Sequence, residues 1–237
     1  MKKVHFLIAI LLLCCRISAQ NHFDALMLDS TSVCVKMAIA DKDVKGEWVI
    51  GPFLRPKVGN PILEPQPISF YCPMRKEQVK WEESDVFNPA ATVKDGKIIV
   101  LYRAEDNSAQ GIGKRTSRIG YAESTNGVTM ERLDSPVLFP GADEFENIEC
   151  PGGCEDPRVA MTEDGLYVML YTAWNRKTPR LAVATSNNLK NWTKHGLAFE
   201  KAYDGRFGRI ATKSASILTK VKGGKLVIDK VDGKYFM

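Results

Sequence analysis

Short apolar runs separated by turn residues make up most of the chain after residue 20. Runs such as residues 99–102 and 168–171 are bounded by Gly, Asp, Asn or Pro. No segment shows the 3.6-residue apolar period of an amphipathic helix, and the runs are rich in the β-branched and aromatic residues that favour strands. The pattern therefore predicts an all-β protein.

An internal repeat organises these strands. Each of three copies begins with an Asp-Gly pair, at Asp95, Asp164 and Asp232. The apolar runs that come after the first two pairs lie 69 positions apart, and the next runs, at 118–124 and 180–186, lie 62 apart. Each copy is expected to be an antiparallel meander that must stack on its neighbours, and radial stacking of such units gives a β-propeller.

The third copy reaches residue 237 in mid-strand. Because propellers have about four to eight blades, we expect the chain to be the N-terminal part of a longer protein, ending within the third or fourth blade. Unpaired strand edges in such a piece predict aggregation. The expected division is a signal peptide at 1–19, a proline-rich extended segment leading into the propeller at 20–85, and a partial propeller at 86–237.

The first residues resemble a secretory leader. Lys2 and Lys3 precede an apolar stretch of roughly ten residues, too short to span a bilayer, and Ser18-Ala19 supplies small residues for cleavage. A lipoprotein anchor at Cys14 or Cys15 is less favoured, because neither cysteine follows a small residue. The leader predicts export to the periplasm, the cell surface or the medium, with no transmembrane segment.

Four cysteines remain after the leader: Cys34, Cys72, Cys150 and Cys154. Outside the cytoplasm they allow up to two disulfides with three possible pairings. The Cys-Pro-Gly-Gly-Cys run at 150–154 resembles half of a zinc site, but no second pair has matching spacing. A structural loop is the favoured interpretation.

Composition excludes several function classes. Without residues 1–19 the chain has 30 basic and 28 acidic residues, which gives no support to a nucleic-acid partner. Only His22 and His195 remain, so no histidine-rich metal site is predicted. Motifs of serine hydrolases, nucleotide-binding loops and zinc proteases are missing from the sequence, and we expect no metal or organic cofactor.

Polar clusters interrupt the strand pattern next to the repeats. Asn88 and Asp156 lie seven and eight residues before the Asp-Gly pairs of the first two copies, and Arg103 and Asp106 end the first apolar run. In a propeller the ends of the innermost strands meet at one pocket. A carboxylate, an amide and a guanidinium around it suit the hydroxyl groups of a sugar. The alternative is a set of Asx turns with a surface ion pair.

These clusters resemble glycoside hydrolase family 130. The resemblance is carried by Phe-Asn-Pro-Ala at 87–90, Leu-Tyr-Arg-Ala-Glu-Asp at 101–106, Ser-Arg-Ile-Gly at 117–120 and Gly-Cys-Glu-Asp-Pro-Arg at 153–158, with a weaker match at 181–192. It runs from about residue 86 to 237. It implies a five-bladed β-propeller that acts on β-mannosides, as a phosphorylase or as a hydrolase, with an oligosaccharide as its substrate.

The resemblance also implies roles for individual residues. Asp156 matches the general acid, which in this family protonates the glycosidic oxygen through a sugar hydroxyl. Asn88 and Arg103 match residues that hold the mannose, and Asp106 is a neighbour. An acid that works near neutral pH needs a raised pKa, and we expect burial beside Glu155 to supply it.

The acceptor of the cleaved sugar is the open question. Inverting hydrolysis needs a second carboxylate as base, which in this family would lie beyond residue 237. Phosphorolysis instead needs cations for phosphate, and Arg206, Arg209 and Lys213 are candidates. Export favours an inverting β-mannosidase, because a phosphorylase would leave its sugar phosphate outside the cell. The alternatives are a β-mannoside phosphorylase forming mannose 1-phosphate, and a sugar-binding propeller without catalysis.

Overall fold

The computed structural model describes residues 59–237 apart from residues 112 and 224. The predicted signal peptide, Cys34 and the first part of the proline-rich segment lie outside the described residues. Residues 61–237 form one compact unit, and every described strand belongs to it. The described part of this unit consists of strands and turns with a single helical turn, which confirms the all-β prediction.

A hairpin precedes the repeats. Strands β1 (Gln66–Cys72) and β2 (Glu77–Glu82) pair antiparallel within the segment that we expected to be extended. Trp81 is fully buried and packs with Phe70 against Tyr102 of the first repeat. The hairpin therefore shares an apolar cluster with the first repeat.

The first repeat is a four-stranded antiparallel meander. It contains β3 (Asp85–Lys94), β4 (Lys97–Glu105), β5 (Ser117–Ser124) and the short β6 (Glu131–Arg132). The Asp95-Gly96 pair forms the two-residue turn between β3 and β4, and both residues have the positive φ that such a hairpin turn requires.

The second repeat has the same plan. After the helical turn α1 (Glu146–Glu149), strands β7 (Gly153–Met161), β8 (Tyr167–Trp174), β9 (Pro179–Ser186) and β10 (Thr193–Leu197) form the second meander. Leu101 faces Tyr121 in the first meander, and Leu170 faces Val183 in the second. From the first meander to the second, Leu101 corresponds to Leu170, 69 positions later, and Tyr121 corresponds to Val183, 62 positions later, as the sequence repeat predicted.

The core lies where apolar faces of the two meanders meet. Ile99, Leu101 and Tyr121 of the first pack in one cluster with Met169 and Tyr171 of the second. A single parallel bridge, Ser117 to Gly153, joins β5 to β7. This packing brings the first strands of the two meanders together.

Two further hairpins come next along the chain: β11 (Thr219–Lys222) with β12 (Lys225–Ile228), and β13 (Lys230–Val231) with β14 (Lys234–Tyr235). The second of these turns at Asp232-Gly233, the start of the third sequence copy. The meanders agree with a propeller-like fold. A count of five blades stays a prediction.

The described cysteines, Cys72, Cys150 and Cys154, are free thiols. Within the same residues, no group of three or more His, Cys, Asp or Glu side chains is placed to hold a metal ion. No helix in this part of the chain combines the length and apolar character needed to cross a bilayer.

Candidate active site

Two matching β-bulges position the central pair of side chains. In β3 the pairing with β4 shifts between Phe87 and Ala90, and in β7 the pairing with β8 shifts between Glu155 and Arg158. The bulged dipeptides are Asn88-Pro89 and Asp156-Pro157. Proline is tolerated in a bulge because no ladder hydrogen bond is needed there.

Asn88 and Asp156 occupy equivalent places in the two bulges. Their φ angles are 44° and 50°, in the left-handed region that Asn and Asp enter more readily than other non-glycine residues. Asn88 Nδ2 donates a hydrogen bond of 2.8 Å to Asp156 Oδ1. Asn88 and Asp156, which are equivalent in the sequence repeat, are therefore also in direct contact.

Arg103 lies behind this pair and is almost fully buried. Its Nη1 donates to Asp156 Oδ1 at 3.1 Å, and its Nη2 donates to Glu155 Oε1 at 2.8 Å. The ring of Phe87 packs 4.6 Å from the guanidinium carbon. Arg103 thus holds the two adjacent carboxylates of β7 in place.

Lys213 reaches the same carboxylates from an irregular segment before β11. Its Nζ lies 2.9 Å from Glu155 Oε2 and 3.3 Å from Asp156 Oδ2. The Lys213 side chain is 44% exposed, whereas those of Glu155 and Asp156 are buried. Lys213 and the exposed Asn88 therefore form the solvent side of the cluster.

The pKa of Asp156 differs from our expectation. Burial by itself would raise it, but the hydrogen bond from Asn88 and the charges of Arg103 and Lys213 outweigh burial and hold the pKa below its usual value. The rise of the Asp156 pKa that we expected from burial beside Glu155 is not seen, and Arg103 and Lys213 pair with Glu155 as well as with Asp156. Asp156 is a carboxylate in this arrangement.

Asp106 lies in a separate buried cluster. Its Oδ2 accepts from Arg118 Nη1 at 2.9 Å, and its Oδ1 accepts from the backbone amides of Ser108 and Thr116 at 3.0 and 3.3 Å. Within the described residues no hydrogen bond or ion pair links Asp106 to Asn88, Arg103 or Asp156. Its contacts brace the loop between β4 and β5.

The three predicted phosphate-binding cations are not brought together. Arg206 and Arg209 are exposed in a turn-rich stretch. No ion pair joins either of them to Glu155 or Asp156 in the described part of the chain. Lys213 is the member of the set that the structure places in the cluster.

Two residues of the cluster have no role in the sequence analysis, Glu105 and Ser117. Glu105 Oε1 accepts from Arg103 Nη2 at 2.6 Å and from Ser117 Oγ at 3.1 Å. Strand alternation could have predicted the place of Glu105, because residues 103 and 105 of one strand point to the same face. Ser117 pairs with Glu105 across β4 and β5.

Most of the described chain matches a known protein family. The sequence model of glycoside hydrolase family 130, described as beta-1,4-mannooligosaccharide phosphorylase, matches residues 57–237. The chain belongs to this family. The match includes both bulges and all the side chains of the cluster.

Two relatives with assigned activities are phosphorylases. The chain is 33% identical over 168 residues to a 1,2-beta-oligomannan phosphorylase from Thermoanaerobacter sp., which covers 69% of this chain and 49% of that protein. It is 31% identical over 159 residues to a beta-1,2-mannobiose phosphorylase from the same organism, covering 63% and 48%. These names favour the phosphorylase alternative over the hydrolase that we expected.

Solved structures add a second group. A provisionally named glycoside hydrolase from Bacteroides ovatus is 73% identical to this chain, with a TM-score of 0.76. The match covers 80% of this chain and 54% of that protein. A structure reported for glycoside hydrolases of this phosphorylase family that target beta-1,2 mannosidic linkages in Candida mannan is 58% identical, with a TM-score of 0.79 and coverages of 81% and 54%. This chain spans about half the length of the relatives that it matches.

Proposed function

We propose that this chain carries the acid side of the active site of an enzyme that cleaves β-1,2-mannosidic linkages, with Asp156 as the general acid. The contact between Asn88 and Asp156, at the matching bulges of two repeats, carries the proposal. The β-1,2 linkage is named for both phosphorylase relatives and for the hydrolases of the 58% identical structure. Membership of the family supports a mannose-containing oligosaccharide as substrate.

The observed contacts constrain how Asp156 works. A general acid needs its proton before the bond breaks, yet Asp156 is held as a carboxylate by Asn88, Arg103 and Lys213. Arg103 is buried and cannot move without disturbing Glu155, whereas Lys213 is half-exposed on an irregular segment. We therefore expect the substrate to displace Lys213 from Asp156 Oδ2, so that this oxygen can take a proton from solvent. Asp156 then donates this proton to a sugar hydroxyl, which passes its own proton to the glycosidic oxygen as the bond to the leaving sugar breaks.

Phosphate is the first candidate acceptor, because both relatives with assigned activities are phosphorylases. A phosphate dianion already is a nucleophile and needs cations rather than a base. Lys213 is the cation that we expect to contact phosphate once it leaves Asp156. Inorganic phosphate would then be a co-substrate, and mannose 1-phosphate the product.

Water is the second candidate, and the local charge favours it. The cluster of described side chains contains four carboxylates, Asp85, Glu105, Glu155 and Asp156, against three cations, Arg103, Arg115 and Lys213. An excess of negative charge opposes the entry of a phosphate dianion. The hydrolases of the 58% identical structure and the export predicted from residues 1–19 favour water as well.

The deciding experiment supplies β-1,2- and β-1,4-mannobiose to the protein with and without phosphate and separates the sugar products. Mannose 1-phosphate that forms only with phosphate supports phosphorolysis, and mannose released equally in both conditions supports hydrolysis. The Asp156→Asn protein is the matched control. Binding of mannobiose by both proteins without any product would refute catalysis and leave a sugar-binding propeller.

A further inference from the structure

We propose that Glu105 is a positioning residue for Asp156 and acts through the guanidinium of Arg103. The proposal deepens the function given above, because it rests on Asp156 as the general acid. It concerns a side chain that sugar cannot reach, since Glu105 is fully buried.

Glu105 closes a ring of hydrogen bonds behind Arg103. Its Oε1 accepts from Arg103 Nη2 at 2.6 Å, and the same oxygen accepts from Ser117 Oγ at 3.1 Å. Ser117 Oγ in turn accepts from Arg103 Nε at 3.0 Å. Three contacts between three side chains fix the plane of the guanidinium.

The opposite side of the same guanidinium faces the acid. Arg103 Nη1 donates to Asp156 Oδ1 at 3.1 Å, and Nη2 also donates to Glu155 Oε1 at 2.8 Å. Because the guanidinium is planar and rigid, its orientation at Glu105 sets its orientation at Asp156. Displacement of Glu105 is thereby transmitted to the acid.

Glu105 also sets how much positive charge Asp156 experiences. Around Asp156 lie Arg103, Lys213, Glu155 and the neutral Asn88. Glu105 neutralises part of the positive charge of Arg103. Its second oxygen, Oε2, has no hydrogen-bond partner among the described residues. This oxygen lies 3.7 Å from Arg115, which itself pairs with Asp85. Without the negative charge of Glu105, Arg103 stabilises the Asp156 carboxylate more strongly, and protonation becomes harder.

The test is the isosteric variant Glu105→Gln, which keeps an oxygen for Arg103 and removes the charge. The first readout is the carboxyl ¹³C titration of Asp156 by NMR, assigned with Asp156→Asn, and we expect its midpoint to fall. The second is the pH profile of mannobiose cleavage, whose alkaline limb should move to lower pH. We expect kcat to drop about tenfold with little change in KM, because an acid that is protonated in fewer molecules slows the chemical step without weakening substrate binding.

Glu82→Gln is the matched control. Glu82 is equally buried and accepts from Tyr102 at 2.7 Å and from Arg132 at 3.1 Å, outside the Asp156 cluster. It should lower the melting temperature without moving the Asp156 midpoint. An unchanged midpoint in folded Glu105→Gln, or an equal shift in Glu82→Gln, would overturn the proposal.

A second variant covers the case in which Glu105→Gln does not fold. Glu105→Asp keeps the charge but withdraws it from Arg103 Nη2, so we expect a smaller shift in the same direction, and no shift would overturn the proposal. The titration needs no substrate. A shifted midpoint in a protein that cleaves no mannoside would support the positioning role of Glu105 and refute the proposed function. An unshifted midpoint in an active enzyme would refute the positioning role and leave the proposed function supported.

Discussion

Gly153, at the bridge between the two meanders, tests whether the close approach of β5 and β7 requires a glycine. This residue has φ +105°, and a Cβ atom added to it would lie 2.7 Å from the amide nitrogen and 2.9 Å from the carbonyl carbon of Ser117, and closer still to the carbonyl oxygen. Since the clashing atoms are all backbone, Gly153→Ala must push β5 and β7 apart. The Ser117 amide would then lose its 2.8 Å hydrogen bond to the Gly152 carbonyl.

The expected cost of Gly153→Ala has two parts. A side chain at this φ is strained by about 1–3 kcal/mol, and a buried amide left without its partner costs about 1–3 kcal/mol more. Gly165→Ala is the control, because Gly165 has a φ of +92° but no atom within 4 Å of an added Cβ. It should suffer the strain without the clash.

Thermal unfolding followed by circular dichroism measures the difference. We expect Gly153→Ala to be about 2 kcal/mol less stable than Gly165→Ala, which for a domain of this size lowers the melting temperature by roughly 4–8 °C. Cleavage of mannobiose should fall only in Gly153→Ala, since Ser117 contacts both Arg103 and Glu105. Equal melting temperatures for the two variants would refute the reasoning.

Three further predictions concern charged residues. Asp156→Asn should reduce turnover at least about 100-fold and keep substrate binding, as measured by product release and calorimetry, and retained turnover would exclude Asp156 as the acid. Lys213→Met should move the alkaline limb of kcat/KM to higher pH, because this cation helps to hold the pKa of Asp156 down, and a shift to lower pH would contradict the proposed displacement. For Asp106, burial raises the pKa, but the Arg118 guanidinium and the hydrogen bonds from Ser108 together outweigh burial, so the pKa is lowered. The resulting stabilisation is present above the unfolded value of about 3.9 and is lost as the pH falls through the folded value. Asp106→Asn should therefore cost about 3 kcal/mol at pH 7 and flatten the acid side of the stability profile measured by urea unfolding; an unchanged acid side would show that another group dominates there.

Local chemistry explains why much of the fold could be predicted. Strand alternation, Asp-Gly turns and the repeat depend on residues close in sequence, and they were enough to align the two meanders. They also made Asn88 and Asp156 equivalent. The hairpin of β1 and β2 was not predicted, because its apolar residues become a strand pair only when Trp81 packs beside Tyr102.

Residue types and their spacing by themselves determined the all-β class, the repeat, the family resemblance and the candidate acid. Only the tertiary structure decided the direction in which the pKa of that acid is shifted. Asp156 was expected to have a raised pKa through burial beside Glu155, but Arg103 from β4 and Lys213 from a distant segment reverse the direction. Charge interactions depend on distances between side chains far apart in sequence, such as the 57 positions between Asp156 and Lys213, and the packing of the two meanders sets those distances.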